Sequence, residues 1–528
     1  MLFADVVHAS AEVAATRSRL AKVRVLADAL RAAADQAGRG AAAERAAIRA
    51  VAGFLTGTPV QGRIGTGWRT LIRLERRPAA TPALRVAEVD AALTALAETG
   101  GTGAQARREE LLAALLDRAT APEQDFLIRL LVGELRQGAL EGVMLDAIAR
   151  ACTADAEPVR RAFMLSGSLP DTAAAALIGG AAALDEFRLT LGRPVRPMLA
   201  STATSLAAAI EELDGAVRVE YKLDGARIQV HRDGDDVHVF TRTLREITES
   251  VPELVDLVRL LPCDAVVLDG ETLALTDDGR PRPFQETMSR FGATSERELL
   301  LRPYFFDCLH LDGVDLLDAP LFERVAALRR VAGDHLIPGV AGPTAEQATV
   351  LLTSALADGH EGVMVKSLTA PYAAGRRGKA WQKVKPVHTL DLIVLAAEWG
   401  HGRRTGKLSN LHLGALDPDG GAPVMVGKTF KGLTDELLAW QTSTFPEYAV
   451  RNTEATVYLR PELVVEIALD GVQISPRYPG GLALRFARVV RYRPDKDAAQ
   501  ADTIDAVRAL LPGGNRTERP GSPRPSEH

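Results

Sequence analysis

The sequence predicts a multidomain protein with an all-α N-terminal domain, a middle α+β domain and an all-β C-terminal domain. Three observations predict it. The chain has 528 residues, more than one ordinary core organises, and length alone implies about three domains. Residues 1 to about 190 are rich in Ala, Leu, Arg and Glu, with apolar residues repeating at helical spacing. After the two prolines of GRPVRPMLA (192–200) the pattern shifts to period-two alternation, first mixed with helical segments and then alone.

Within the first region (1–190), MLFADVVHASAEVAATRSRL carries Asp5 and Glu12 and lacks a compact apolar run, so it reads as a helix and not as a signal peptide. VAEVDAALTALAE (86–98) and QDFLIRLLVGELRQGALEGVMLDAIARAC (124–152) show the same helical periodicity. In the second region (191–387), VRVEYKLDGARIQVHRDGDDVHVFTR (217–242) alternates apolar and polar residues between Gly/Asp turns. AVVLDGETLAL (265–275) and RPYFFDCLHLDG (302–313) are further strands; PLFERVAALRRV (320–331) and EQATVLLTSALAD (346–358) are helices. That mixture predicts antiparallel sheets covered by helices. In the third region (388–510) short strands dominate: DLIVLAAEW, LHLGALD, PVMVGKTF and VVEIALDGVQIS. They predict a small barrel of OB type, an architecture that binds nucleic acid. The Pro/Ser/Gly-rich tail 511–528 is expected to be disordered.

Composition excludes several classes. A hydrophobic fraction of 47% and a charged fraction of 25% fit a soluble globular protein, and no apolar run of about 18 residues predicts a membrane span. Cys152, Cys263 and Cys308 are far apart and form no CxxC, which argues against a disulfide framework or a four-cysteine zinc site and fits a reducing cytoplasm. Net charge is −5, yet the basic residues cluster: eight Lys/Arg against two Asp/Glu over 370–410, six against one over 477–496, five against one over 61–80. Such stripes can hold a phosphate backbone even on an acidic protein; each alone reads equally as a solvated face. Only ten of the 63 basic residues are lysine, and nine of those ten lie within 222–496. Lysine, unlike arginine, can lose its proton and attack an electrophile, so this usage points to chemistry at one of these positions.

Lys222 is the foremost candidate. It lies in Glu220-Tyr221-Lys222-Leu223-Asp224-Gly225-Ala226-Arg227, at the predicted end of one strand and before a tight turn, with Gly225 allowing close backbone approach to a ligand. A free lysine is almost wholly protonated at neutral pH, and neighbouring cations with desolvation are what favour the neutral amine. Arg227, Lys383 and Lys385 are the candidate neighbours. Lys383 and Lys385 alternate with Val384, so a strand places both on one face. Taken alone, KxDG also fits a surface hairpin held by a salt bridge.

The further segments, in order, resemble the covalent nucleotidyltransferase superfamily and, within it, the ATP-dependent DNA ligases. KLDGAR (222–227) is similar to the nucleophile motif and TRTLREIT (241–248) to the second motif, with Arg242 in the place of the arginine near the ribose and the nick. LDGE (268–271), YFFDCLHLDG (304–313), EGVMVKS (361–367), WQKVKP (381–386) and RFARVVRYRPDK (485–496) follow in family order over about 275 residues. LLVGELRQGALEGVMLDAIARA (130–151) resembles, more weakly, the helical DNA-binding domain of the larger members. One departure is Ala487, where the family often has proline, which leaves the local backbone course open.

The resemblance implies an adenylation (nucleotidyltransferase, ATP-grasp-like) domain over 191–387 and an OB domain over 388–510. It implies ATP as cofactor, with AMP carried covalently on Lys222. Phe306 would stack on adenine, Glu220 would contact its polar edge, and Glu271 would accept a ribose hydroxyl. Arg227, Arg242, Arg377, Lys366, Lys383 and Lys385 would line the nucleotide and offset its charge. Mg²⁺ would be held by Glu361, with Glu271 second. Asp495 and Lys496 would act on the pyrophosphate side, which implies a swing of the OB domain. The implied partner is nicked double-stranded DNA, enclosed by a monomer. An RNA ligase or capping guanylyltransferase is the alternative within the superfamily; the long helical region argues against both. An NAD-dependent ligase would require a four-cysteine zinc site. A catalytically inactive DNA-binding protein of the same fold is the non-enzyme alternative, opposed by the intact Lys222, Glu271, Glu361 and Lys383 set.

Overall fold

A computed structural model describes residues 1–511 except 38–39, 63, 65–70, 72–73, 75–76, 136, 138–140, 277–278, 283–286, 288–300 and 374–376. The tail expected to be disordered lies outside the described residues apart from Leu511, as do Arg63, Arg69, Arg73 and Arg76 of the first basic stripe. The side chain of Arg377 is likewise outside them.

Among the described residues, the regular elements of the N-terminal region are helices: Phe3–Ala15, Arg19–Asp35, Ala41–Thr56, Val86–Glu98, Ala104–Asp117, Ala121–Leu131, Glu141–Ala151, Ala156–Ser166 and Leu169–Asp185. Local chemistry starts several of these. The Ser18 hydroxyl accepts from Ala21 N at 3.3 Å, and Thr120 with Glu123 forms a capping box in which Glu123 accepts from Thr120 N at 2.7 Å. The apolar stripes meet in one core, where Phe3 lies edge-on to Phe54 and Phe126 with ring centroids 5.7 and 5.6 Å apart. The continuous periodicity over 124–152 is interrupted, because Gly133 turns to φ 71° between two helices. Gln137 from this break is buried against the helices; its amide bonds Ser10 and Leu55 O, and its carbonyl accepts from Lys22 Nζ at 2.7 Å. A polar plug thus stands where periodicity alone predicts unbroken helix.

The middle region contains two sheets. Its strands are β1 (Leu199–Thr202), β2 (Val217–Lys222), β3 (Ala226–Asp233), β4 (Asp236–Thr241), β5 (Ala265–Ala274), β6 (Leu301–Leu311), β7 (Val314–Asp315), β8 (Gly339–Ala341), β9 (Gly362–Ser367) and β10 (Arg377–Val384). One sheet has the order β1-β10-β9-β2-β8 and the other β4-β3-β5-β6-β7. Against the expectation of antiparallel sheets, β1 runs parallel to β10: it is the entering strand, paired with a strand some 180 residues away, so no hairpin dictates its direction. The helix Ala345–Ala357 packs on β2 and β9, and Leu321–Ala332 packs on β6.

The connection from β2 to β3 matters most for function. The two strands are consecutive in sequence yet lie in different sheets, so residues 223–225 cross between them and KLDG is not a hairpin. Register then selects which side chains face the gap. Arg218 pairs with Lys366 and Lys366 with Trp381; Glu220 pairs with Met364 and Met364 with Lys383; Lys222 pairs with Gly362. Because a strand alternates faces, these residues share one surface, while Val217, Val219, Val363 and Val365 pack on the other with Ala348 and Ala355 of the covering helix.

The C-terminal region is mainly β: β11 (His388–Trp399), β12 (Leu408–Ala415), β13 (Val424–Thr429), β14 (Ala449–Asn452), β15 (Thr456–Leu459), β16 (Val464–Leu469), β17 (Gly471–Ile474), β18 (Leu482–Arg485) and β19 (Arg488–Tyr492). β11 pairs with β16 along its first half and β15 along its second, with register shifts at Val394/Ala396 and Glu398/Trp399 against β12. Such irregularities bend a strand and let the sheet curl around its core of Leu392, Val394, Leu411, Leu413, Val465 and Ile467. The backbone around Ala487 is settled by Phe486 at φ 54° and by Thr429 Oγ1 donating to Ala487 O at 2.5 Å.

Under the second sheet, Arg324 forms a two-pronged, solvent-free pair with Asp307, at 2.7 and 3.1 Å, and donates to Ala319 O and Ala370 O. Arg324→Ala would leave Asp307 buried without a counter-ion. It is expected to destabilise the fold by about 3–5 kcal/mol, whereas Arg242→Ala at an exposed turn should stay within about 0.5 kcal/mol. Urea midpoints of the two variants and the parent check this; equal shifts would contradict it.

Candidate active site

A cleft of about 460 Å³ opens where the two sheets face each other. The first sheet contributes Glu220, Lys222, Met364, Lys366, Trp381 and Lys383 to its lining, as the register requires, and the second contributes Arg227, Glu271 and Phe306. Arg242, Thr241 and Thr243 stand at the end of β4, where Arg242 is exposed and positioned as a rim cation.

Lys222 does not face bulk solvent. Its amine lies 2.6 Å from Glu361, whose same oxygen receives Lys385 at 2.7 Å. The backbone adds a tie, since Glu361 N donates to Lys222 O at 3.0 Å. Gly362 makes this approach possible: it has φ 140°, and a Cβ there would fall 2.2 Å from Val384 O. Burial alone would raise the Glu361 carboxyl, but Lys222 and Lys385 outweigh it and hold it well below the usual carboxylate range. Glu271 behaves oppositely. Burial pushes its carboxyl up to about 7 against the pull of Lys222 and Arg227, with Asp269 and Glu361 adding to the rise.

Several expected placements change. The partner of the Lys222 amine is a carboxylate, which Lys385 shares from outside the cleft lining, while Arg227 and Lys383 line the cleft with Lys222. Arg227 is committed to structure as well as to the cleft. Its Nε and Nη2 reach Asp269 at 3.0 and 2.6 Å, and its Nη1 donates to Met198 O at 2.7 Å. Tyr372 closes that network by donating to Asp269 at 2.7 Å and accepting from Met198 N at 3.0 Å. Gly225 lines the cleft and also lets the crossing loop approach β5: a Cβ there would lie 2.4 Å from Thr272 O and 2.9 Å from Glu271 Cγ. Glu220 is 1% exposed, with its two oxygens taken by Arg218 at 3.0 Å and by Lys366.

Phe306 stands in the cleft wall, edge-on to Trp381 at 5.9 Å, and Lys366 Nζ lies 4.3 Å from the Phe306 ring centre and 4.2 Å from that of Trp381. Lys383 lines the cleft from β10. Asp495 and Lys496 are not brought to the cleft: Asp495 pairs with Arg493 at 2.7 Å, and Lys496 pairs with Asp391 at 2.6 Å within the C-terminal region. That region reaches the nucleophile loop instead through Arg485, which grips Asp224 at 2.6 and 3.3 Å and lies 3.7 Å from Glu361. Arg218, Asp269, Tyr372, Trp381 and Arg485 are site residues to which sequence reasoning assigned no role. Arg218 alone carried a local signal, lying four residues before Lys222 on the same strand face.

In chemical terms the cleft offers an amine at a carboxylate, an aromatic wall and several cations, which suits a nucleotide. Glu271 and Glu361 are oxygen donors of the type a hard divalent cation takes; among the described residues no cluster of three or more His, Cys, Asp or Glu is arranged for a metal.

Three family models match in succession: "DNA ligase N terminus" over residues 64–149, "ATP dependent DNA ligase domain" over 197–385 and "ATP dependent DNA ligase C terminal region" over 404–496. The "Probable DNA ligase" of Rhodococcus opacus (strain B4) is 67% identical over 97% of this chain and 100% of the relative. Those of Nocardia farcinica (strain IFM 10152) and Mycobacterium marinum (strain ATCC BAA-535 / M) are 63% and 54% identical, each over 97% of this chain and 100% of the relative. A solved structure described as Pmar-Lig_PreS3 shares the fold, with TM-score 0.61 and 19% identity over 92% of this chain and 99% of that one. No described helix is long and apolar enough to cross a membrane. With three successive ligase domain matches and relatives 54–67% identical over 97% of the chain, the chain belongs to the ATP-dependent DNA ligases, enzymes that bind ATP and DNA.

Proposed function

We propose that the chain seals nicks in duplex DNA through an AMP carried on Lys222. The observation that carries this reading is the position of the Lys222 amine, in a nucleotide-sized cleft and within 2.6 Å of Glu361. In this pose the amine is engaged as a cation, so attack requires it to leave Glu361 and lose its proton. Its nitrogen then bonds to the α-phosphorus of ATP while the bond to the bridging oxygen breaks and pyrophosphate departs. A 5′-phosphate oxygen at the nick next attacks that phosphorus, breaks the P–N bond and takes the AMP. Finally the adjacent 3′-hydroxyl attacks the 5′-phosphorus, closing the phosphodiester and expelling AMP.

The named side chains divide this work. Phe306 supplies the face for adenine, and Glu271 an acceptor for a ribose hydroxyl. Lys383, Arg242 and Arg377 offset phosphate charge as it redistributes. Glu361 and Glu271 would hold Mg²⁺, which would supply charge neutralisation at the phosphates. Bringing Asp495 and Lys496 to the pyrophosphate requires the C-terminal domain, read as an OB barrel over 388–510, to move, and the Arg485–Asp224 pair must then part. The helical domain over 1–190 and the adenylation domain over 191–387 would close with it around one duplex, mostly through backbone contacts that read no sequence. The protein acts as a monomer in this arrangement.

Incubation with α-labelled ATP, GTP or NAD followed by a denaturing gel tests the first step. Label is expected on the parent from ATP alone and none on Lys222→Ala; label that survives this substitution would remove the reading. On nicked substrates, sealing is expected with DNA strands at least about tenfold faster than with RNA strands, a difference of about 1.4 kcal/mol in the barrier. A preference for RNA would favour the RNA-ligase alternative.

Glu271 gives a pH signature in the ligand-free protein. Its folded carboxyl keeps a proton up to about 7, while the unfolded chain releases it near the ordinary value of 4.5. Between these values the folded state binds more protons, so the contribution of Glu271 to stability falls as pH rises, and the penalty is complete above 7. Glu271→Gln should therefore gain on the parent between pH 5 and 8, by up to about 3 kcal/mol. Melting temperatures across that range check it, and a constant offset would contradict the assignment.

A further inference from the structure

The inner end of the cleft holds a charge arrangement that nucleotide binding alone does not require. Arg218, Glu220 and Lys366 are each 1% exposed and sit side by side on β2 and β9. Arg218 Nε donates to Glu220 at 3.0 Å, its Nη2 donates to Ile337 O at 3.3 Å, and Lys366 pairs with the other oxygen of Glu220. The arrangement is tightly packed: a Cβ on Gly339 would lie 2.7 Å from Glu220 Cβ and 2.9 Å from Arg218 Nη2. Lys366 is further committed to the rings of Phe306 and Trp381. Removing such charges from water is unfavourable unless close pairing and hydrogen bonds repay it.

A carboxylate clamped between two cations is an acceptor and cannot donate, yet its two oxygens keep lone pairs beyond those used by Arg218 and Lys366. Glu220, Lys366 and Phe306 all line the cleft. A base lying against Phe306 meets, at its edge, an oxygen that accepts only. An exocyclic amino group satisfies it, and a carbonyl oxygen in the same place is repelled and leaves the carboxylate desolvated without a donor.

We infer that Arg218 and Lys366 hold Glu220 as a fixed hydrogen-bond acceptor, and that Arg218 is thereby a positioning residue for base choice, restricting the cleft to a nucleoside triphosphate whose base presents an amino group there. This rests on the reading that the cleft binds ATP with its base at the Phe306 end. Arg218 itself touches no substrate and acts through Glu220.

The test is protein labelling from α-labelled ATP, from inosine triphosphate (carbonyl in place of the amino group) and from purine riboside triphosphate (neither). The parent should prefer ATP over inosine triphosphate by at least about 100-fold. Arg218→Met should lower that ratio at least about tenfold, mainly through a higher KM for ATP, and Arg218→Lys should restore most of it. Glu220→Gln, whose amide can donate, should raise the use of inosine triphosphate relative to ATP; if Arg218→Met does not fold, Arg218→Gln, which keeps a polar side chain but no charge, should lower the ratio in its place. Equal use of ATP and inosine triphosphate by the parent, or a proportional loss with both nucleotides in Arg218→Met and Glu220→Gln, would overturn the inference. Failure of the parent to take label from ATP would instead overturn the adenylation reading, so the two failures are distinct.

Discussion

The carboxylate of Glu361 is the charge around which this site is arranged. It lies 2.6 Å from Lys222 and 2.7 Å from Lys385, with Arg485 at 3.7 Å. Three cations from three parts of the chain converge there: the end of β2, the chain just beyond β10, and β18 of the C-terminal region. Coulomb attraction at such distances in a partly buried setting outweighs the desolvation of the carboxylate, which is why Glu361 stays ionised far below neutrality. The same attraction sets the demand on the reaction, because the amine that attacks must first be freed from it. An anionic nucleotide entering the cleft competes with Glu361 for the same cations, and a divalent cation competes with those cations for Glu361.

Around this centre the fold uses buried ion pairs as rulers. Arg227 with Asp269 and Tyr372, Arg324 with Asp307, and Arg218 with Glu220 and Lys366 each tie strands or loops at hydrogen-bond distance. An apolar core of equal volume would be at least as stable. What charged pairs add is position: a bidentate guanidinium–carboxylate contact tolerates little displacement, and the aromatic wall and the rim cations inherit that precision. The link between the C-terminal region and the nucleophile loop, Arg485 to Asp224, is by contrast part-exposed, with both side chains 22% accessible. It is an ion pair between the two parts, neither fully buried nor fully exposed, and a moving domain requires it to part.

Much of the architecture was legible in sequence because periodicity reports burial. The helices Val86–Glu98 and Leu321–Ala332 and the strands over 217–241 follow their apolar spacing closely. The exceptions have local physical causes. The stretch 124–152 reads as unbroken helix, yet Gly133 adopts a left-handed conformation and Gln137 fills the break by satisfying polar groups on two distant helices, which no periodicity encodes. β1 pairs in parallel with β10, a contact that sequence separation hides. At the site, Lys222, Glu220, Glu271, Phe306, Lys366 and Lys383 do line one cleft, whereas Lys385, Glu361, Asp495 and Lys496 do not appear in its lining. For Lys385 and Glu361 the reason is that they satisfy each other just behind it.

By itself the sequence determined the order of the chemistry: a lysine before a Gly turn, carboxylates and paired lysines further on, and basic stripes in a lysine-poor chain. Those are properties of residue type and short-range alternation, which need no third dimension. Only the tertiary structure decided that β2 and β3 belong to different sheets, so that three residues cross the gap and set the Lys222 amine between them. It alone decided that a carboxylate pairs with that amine, and that Arg218 stands behind Glu220. Pairings of this kind join residues up to 261 positions apart, as Asp224 and Arg485 are, and arise from register, crossover and packing that local sequence does not carry.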